Sequence, residues 1–301
     1  MDYRKIGNTD LKVSNLSLGA SSLGSVFREI NEEEGIRTVH MAIDMGINLI
    51  DVSPYYGLTK AESVLGRAIH GIQREKFFLS TKAGRFGDNE FDFSGDRITE
   101  SLEESLKRLK TDYVDILLLH DIEFGSFNQI VEEGIPALQK LKKEGKIRYF
   151  GVSGLPLDIF NKTLEQTTLD VILSYCHYSL NDTSLLEITP LLEERKVGLI
   201  NASPLSMGLL TNKGVPPWHP ASEEIKQLCD KAATFCRENG EDIAKLAIQF
   251  SVSNKVIPTT LVSTASSDNI AKNIRWASEP IDKKLLEEVL KILAPIHNQT
   301  W

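Results

Sequence analysis

Cysteine is scarce in this chain: Cys176, Cys229 and Cys236 are the only three among 301 residues. An odd number of thiols without metal-like spacing argues against a disulfide framework and suits a reducing compartment. Long apolar runs are also missing. Nothing approaches the ~20 apolar residues that span a bilayer, and Met1-Asp2-Tyr3-Arg4-Lys5-Ile6 lacks the apolar core of a signal peptide. Positive charge is in deficit, since 34 Lys and Arg against 42 Asp and Glu leave a net charge of -8. That balance argues against nucleic acid, which demands clustered cations, and disfavours anionic membranes. His40, His70, His177 and His297 show no ligand spacing, so no metal is expected. No stretch reads as a linker or a low-complexity tail. The expectation is one cytoplasmic domain over residues 1–301, a monomer or weakly associated homodimer, acting on a small molecule.

What is present is a repeat of short apolar runs alternating with amphipathic stretches, the pattern of βα units. After a hairpin over Tyr3 to Val13, turning at Gly7-Asn8-Thr9-Asp10, eight strands are expected. They are Asn15–Leu18, Asn48–Asp51, Phe77–Thr81, Val114–Leu119, Tyr149–Val152, Val171–Ser174, Gly198–Asn201 and Thr260–Val262. Helical patterns fall near Glu32–Met45, Lys60–Ile69, Asp96–Lys107, Asn128–Glu144, Leu157–Glu165, Ser184–Arg195, Ser222–Ser253 with a break near Gly240, and Asp268–Ala277. Nearly continuous apolar strands such as Val114-Asp115-Ile116-Leu117-Leu118-Leu119 suit a parallel sheet covered on both faces. A doubly wound open sheet would carry G-x-G-x-x-G after its first strand, and Gly19-Ala20-Ser21-Ser22-Leu23-Gly24 does not fit. Eight units therefore predict an α/β fold, a (β/α)8 TIM barrel with an N-terminal β-hairpin and an extra outer helix over Ile281–Leu293.

Barrel enzymes act at the carboxyl ends of their strands. Asp51 ends the second strand, Tyr56 lies in the loop that follows, Lys82 ends the third strand and His120 the fourth. Singly, each has a structural explanation: a turn cap, a packed ring, an ion pair, a satisfied imidazole. Together they supply a proton-transfer phenol, a cation to lower its pKa, a carboxylate to keep the cation charged, and a neutral hydrogen-bond donor.

The strings Asp51-Val52-Ser53-Pro54-Tyr55-Tyr56-Gly57 with Glu62, Ser80-Thr81-Lys82 and Leu118-Leu119-His120 resemble the aldo-keto reductase signature, and the resemblance runs along essentially the whole chain. Within that family, His120-Asp121-Ile122-Glu123-Phe124 and Trp218-His219-Pro220-Ala221-Ser222 resemble the branch that oxidises L-galactose in plants. The resemblance implies oxidation of the anomeric carbon of an aldose, such as L-galactose, L-fucose or D-arabinose, to a lactone with NAD, toward ascorbate. It implies Ser153 and Ser174 at the nicotinamide, Ser203, Leu205 and Gly208 along the pyrophosphate, and Ser263, Ser267, Asn269 and Asn273 at the adenosine end. NAD is expected over NADP, because Ser263 and Asn269 stand where NADP-dependent relatives place a Lys and an Arg; Lys272 or Arg275 reaching the phosphate is the alternative. Two departures stand out. Ala202 replaces an aromatic that stacks on nicotinamide, and Gly154 replaces an Asn that holds its amide. Tyr55, Asp121, Phe124, Trp218 and His219 are the candidate substrate contacts, with packing against the barrel rim as the plain alternative. The rival readings are a general NAD(P)H-dependent aldehyde or ketone reductase and a noncatalytic cofactor-binding subunit like those of potassium channels.

Overall fold

A computed structural model describes every residue except 27 and 300. The chain opens with an antiparallel hairpin of β1 (Tyr3–Lys5) and β2 (Lys12–Ser14), in register Tyr3 to Ser14. Eight strands then alternate with helices: β3 (Leu16–Gly19), α1 (Glu32–Asp44), β4 (Leu49–Asp51), α2 (Lys60–Ile69), β5 (Phe78–Ala83) and α3 (Gly95–Leu109) come first. β6 (Val114–Leu119) follows, then a single turn α4 (Phe127–Gln129) running through a π turn into α5 (Ile135–Lys143), β7 (Ile147–Gly154), α6 (Leu157–Gln166) and β8 (Val171–Tyr175). The chain continues through α7 (Thr189–Arg195), β9 (Gly198–Ala202), α8 (Glu223–Glu238), α9 (Ile243–Ser253), β10 (Thr259–Ser263), α10 (Ser267–Ser278) and α11 (Lys283–Leu293). The eight strands β3 to β10 pair in chain order and in parallel, with β10 against β3 closing the barrel. The TIM barrel, the hairpin and the extra outer helix are thus all present.

Strand alternation sorts the side chains into layers. Leu49, Ile116, Leu118, Leu173, Ile200 and Leu261 fill the barrel interior together with Ile6, Leu11 and Val13 of the hairpin, which plugs one end. Leu79, Leu117, Leu119, Ile172 and Leu199 pack instead in the layer shared with the helices. A second cluster joins α8, α9 and α11 through Cys229, Cys236, Leu246 and Val289, so these two thiols are core packing. Asp115, the carboxylate inside the apolar run of β6, is buried and accepts Arg74 and Arg148, each at 2.6 Å, and the Leu79 amide at 2.9 Å. Local caps agree with the pattern: Asn31 on α1, Ser222 on α8, Asp242 on α9 after the break at Gly240, and Asp282 on α11.

Several strands run further than apolar patterning indicates. β5 continues through Lys82 and Ala83, β7 through Ser153 and Gly154, and β9 through Ala202. Ladder bonds are made by the backbone, so Lys82 to Leu118 and Gly154 to Ser174 pair whatever the side chain. Asp51, Lys82, Ser153 and Ser174 therefore stand on the sheet itself, while Tyr56 and His120 lie in the loops just beyond it.

One contact holds the loop between β4 and α2 in place. Gly57 has φ +61, and a Cβ there would lie 2.0 Å from the Gly24 carbonyl oxygen, while a Cβ on Gly24 would meet the Tyr56 carbonyl oxygen at 2.6 Å. Backbone meets backbone beside Tyr56. Gly57→Ala is expected to lower the unfolding free energy by at least about 2 kcal/mol, read from urea denaturation, through left-handed strain and loss of this contact. An unchanged midpoint would show that the two loops do not depend on each other.

Candidate active site at the carboxyl end of the barrel

The four residues singled out from the sequence converge at the mouth. Lys82 is 1% exposed and Asp51 3%. Its ammonium makes a short ion pair with Asp51 Oδ1 and donates to the Val52 carbonyl at 2.9 Å. The other Asp51 oxygen accepts the Ser80 hydroxyl at 2.7 Å. Above this pair the Lys82 Nζ lies 4.9 Å from the centre of the Tyr56 ring, whose edge-on neighbour at 5.7 Å is His120. Glu62, part of the same motif, sits away from the chemistry: it is fully buried and takes Thr81, Ser105 and Arg108, tying α2 to β5 and α3.

The electrostatics differ from expectation on one point. Burial holds Lys82 back, but Asp51 and the adjoining phenol outweigh it, so the ammonium stays charged with its pKa raised. At Tyr56 burial wins. The phenol pKa is raised, with the Lys82 charge and hydrogen bond only partly offsetting desolvation and the Asp51 and Asp121 charges. The expected acidified phenol is thus corrected to a phenol that Lys82 keeps from rising further. His120 is pushed down to about 3, chiefly by burial, and is neutral throughout the physiological range. Its Nδ1 lies 3.0 Å from the Ser53 hydroxyl, which already accepts the Tyr55 amide at 3.1 Å. Ser53 is assigned as donor to Nδ1, which puts the imidazole proton on Nε2, the nitrogen that faces the Asp121 carboxylate at 3.6 Å.

Residues around this centre include several that sequence patterning did not single out. Arg85 reaches Asp121 at 2.5 Å and the Tyr55 hydroxyl at 3.0 Å. Tyr175 shares the barrel-interior cluster with its register partner Ala202, so the aromatic missing at 202 is present one strand away. The Glu123 carboxylate lies 2.8 Å from where a Gly154 Cβ would be, which accounts for glycine there. Neither Tyr175 nor Glu123 is marked by periodicity; only the fold brings them to the rim.

The remaining candidates scatter. Ser153 Oγ accepts the Asp121 amide at 3.2 Å, and Ser174 Oγ is buried without a hydrogen-bond partner. Ser203 has φ 59, and Ser206, Met207 and Gly208 follow Leu205 with φ of 46, 54 and 111. Ser263 Oγ is bound by Ser21 and Ser22, Ser267 by Glu34, and Asn269 N by Ser266, while Asn273 lies further along α10. Phe124 is exposed at the rim, and Trp218, also exposed, stacks on His219. His219 is buried and spends Nε2 on the Ser206 carbonyl and Nδ1 on the Ala221 amide, a bracing role for its loop. Among the described residues no group of three or more His, Cys, Asp or Glu could hold a metal, and no helix is long and apolar enough to cross a membrane.

The chain is similar to known proteins in sequence and fold. Residues 15–294 match the model of the aldo/keto reductase family. L-galactose dehydrogenase of Arabidopsis thaliana is 49% identical over 100% of this chain and 97% of its own length. D-arabinose 1-dehydrogenase of Saccharomyces cerevisiae is 36% identical over 100% and 97%. A holo aldo-keto reductase from Bacillus halodurans superposes with a TM-score of 0.81 at 27% identity, over 100% of this chain and 98% of that one. The chain belongs to the aldo/keto reductase family and is an oxidoreductase.

Glu123 gives the site a pH signature. Burial raises its carboxyl to about 7, above the ordinary 4.5. The raised folded pKa means that its contribution to stability is fully present below pH 4.5 and is lost as pH rises through 7. Glu123→Gln removes this cost, so the variant is expected to gain up to about 3 kcal/mol over the parent at pH 8 and little at pH 4.5. Thermal melts across that range check it; a gain independent of pH would assign the effect to packing.

Proposed function

We propose that this protein is an NAD-dependent aldose 1-dehydrogenase, oxidising the anomeric carbon of a sugar of the L-galactose type to its lactone, on the route to ascorbate. The observation that carries the reading is the convergence of Tyr56, Lys82, Asp51 and His120 in a chain 49% identical along its whole length to an L-galactose dehydrogenase.

The residues present fit a nicotinamide dinucleotide. The loop after β9, which the family resemblance gives to the pyrophosphate, is held in a left-handed run at Ser206, Met207 and Gly208. Ser174 Oγ and Glu123 Oε2, buried and unpartnered at the ends of β8 and β6, offer a donor and an acceptor to an amide. When bound, the cofactor supplies the hydride acceptor. The protein does the rest: His120 Nε2 orients the sugar oxygen, the Lys82 charge stabilises the Tyr56 phenolate that must form first, and that phenolate takes the hydroxyl proton and becomes the phenol. Because the Tyr56 pKa is raised, the oxidation is expected to quicken as the solution is made alkaline. Tyr56→Phe is expected to cut turnover by roughly 100- to 10,000-fold with NAD+ binding intact. Retained turnover would remove Tyr56 from the reaction.

The preference for NAD rests on the adenosine end. Glu34 reaches from α1 to the first turn of α10, accepting the Ser267 amide and hydroxyl at 2.7 Å each. These bonds and Arg37 hold its carboxyl down at about 2, so a permanent negative charge stands at the helix N-terminus. Lys272 is turned onto the Trp276 ring at 4.6 Å, away from that end. NADP+ is expected to bind at least about 10-fold more weakly than NAD+, and Glu34→Gln to narrow the gap, by fluorescence titration. Equal affinities in the parent protein would refute the NAD assignment.

A further inference from the structure

Arg85 stands just past Ala83 at the end of β5 and joins three loops of the mouth. One Nη donates to Asp121 Oδ2 at 2.5 Å, the other to the Tyr55 hydroxyl at 3.0 Å, and that hydroxyl donates to Asp88 at 2.8 Å. The guanidinium lies 3.9 Å from the Tyr55 ring centre and 5.4 and 5.6 Å from Phe91 and Phe124, which stack on each other at 5.3 Å. Asp121 is held in a left-handed conformation, φ 50, with its amide on Ser153. Its Oδ2 is 3.6 Å from His120 Nε2, the ring nitrogen assigned the proton. A single carboxylate oxygen thus lies between a guanidinium and the imidazole that meets the reacting oxygen.

We propose that Arg85 and Asp121 are a paired clamp for the sugar hydroxyls next to the reacting carbon, which makes Arg85 a specificity-determining residue. The inference rests on the aldose reading above. A guanidinium carries five N–H donors in a plane, and with Nε on the Gly87 carbonyl at 3.5 Å and one Nη hydrogen each on Asp121 and Tyr55, two Nη hydrogens are left for sugar oxygens. The carboxylate beside it accepts hydroxyl protons. Neighbouring hydroxyls, each both donor and acceptor, satisfy such a pair, and the Phe91 and Phe124 rings offer an apolar wall to the sugar's C–H face. Side-chain exposure of 16% for Arg85 and 6% for Asp121 makes the pair poorly hydrated. A carbonyl compound without adjacent hydroxyls leaves that desolvated pair unmatched, and sites built to bond a hydroxyl reject analogues lacking it. Left-handed strain at Asp121 is the local cost of aiming its carboxylate at this point.

The test compares kcat/KM for L-galactose with NAD+ against kcat/KM for a simple aliphatic aldehyde with NADH, in the parent and in Arg85→Gln and Arg85→Lys. Arg85→Gln is expected to lower the sugar value by about 10- to 100-fold, mostly through KM, and the aldehyde value by less than about 3-fold. Arg85→Lys keeps the charge but loses the fork, and is expected to fall between. NAD+ affinity and thermal midpoint, followed in parallel, are expected to stay near the parent's. If Arg85→Gln unfolds, Arg85→Lys decides: an unchanged preference for the sugar overturns the clamp. Equal losses on both substrates in either variant also overturn it, reducing Arg85 to a brace between loops, while the aldose reading stands. A parent that turns over the aldehyde but no aldose removes the aldose reading and the clamp with it.

Discussion

The buried ion pair between Lys82 and Asp51 is the constraint on which the rest of the site depends. An ammonium and a carboxylate taken out of water are costly to desolvate, and their attraction repays that only in good geometry with their other bonds satisfied. Here they are: Asp51 also accepts Ser80, and Lys82 also donates to Val52. All four residues belong to β4, β5 and the first residue after β4, so the pair is bracketed by the ladder that aligns those strands. Such a pair contributes little net stability, yet removing one partner would strand the other. Its charge is also the one favourable influence on a phenol that its surroundings otherwise oppose.

The barrel divides its polar groups by purpose. At the hairpin end, Asp115 answers Arg74 and Arg148 and closes a carboxylate into an apolar strand. Glu62 does likewise beneath α2, where Arg108 and two hydroxyls saturate it. At the carboxyl end the polar groups are left with spare capacity: Ser174 Oγ and Glu123 Oε2 lack partners, and the Ser206–Gly208 backbone is strained.

Charge placement around the mouth follows the same logic. His120 is kept neutral by burial, so it meets an oxygen as a donor without repelling Lys82. Asp121 would attract a proton onto that ring, but Arg85 takes the carboxylate's charge. At the far end, Glu34 pairs with Arg37 and accepts the Ser267 amide at the first turn of α10.

Alternation of apolar runs and amphipathic stretches determined the closed barrel, its eight strands and its plugging hairpin, because burial on both faces leaves a periodic trace in the chain. Four polar residues at strand ends, Asp51, Tyr56, Lys82 and His120, were legible for the same reason, each interrupting or ending that trace. The tertiary structure alone decided that Lys82 lies within β5, that burial raises the Tyr56 pKa, and that His219 braces its loop. It alone brought Arg85, Glu34, Glu123 and Tyr175 into play, since the bonds Arg85 to Tyr55, Glu123 to Leu155 and Glu34 to Ser267 span 30, 32 and 233 residues. Periodicity records which face of an element is buried; desolvation and pairing across the mouth depend on distances that exist only once the ring of strands has closed.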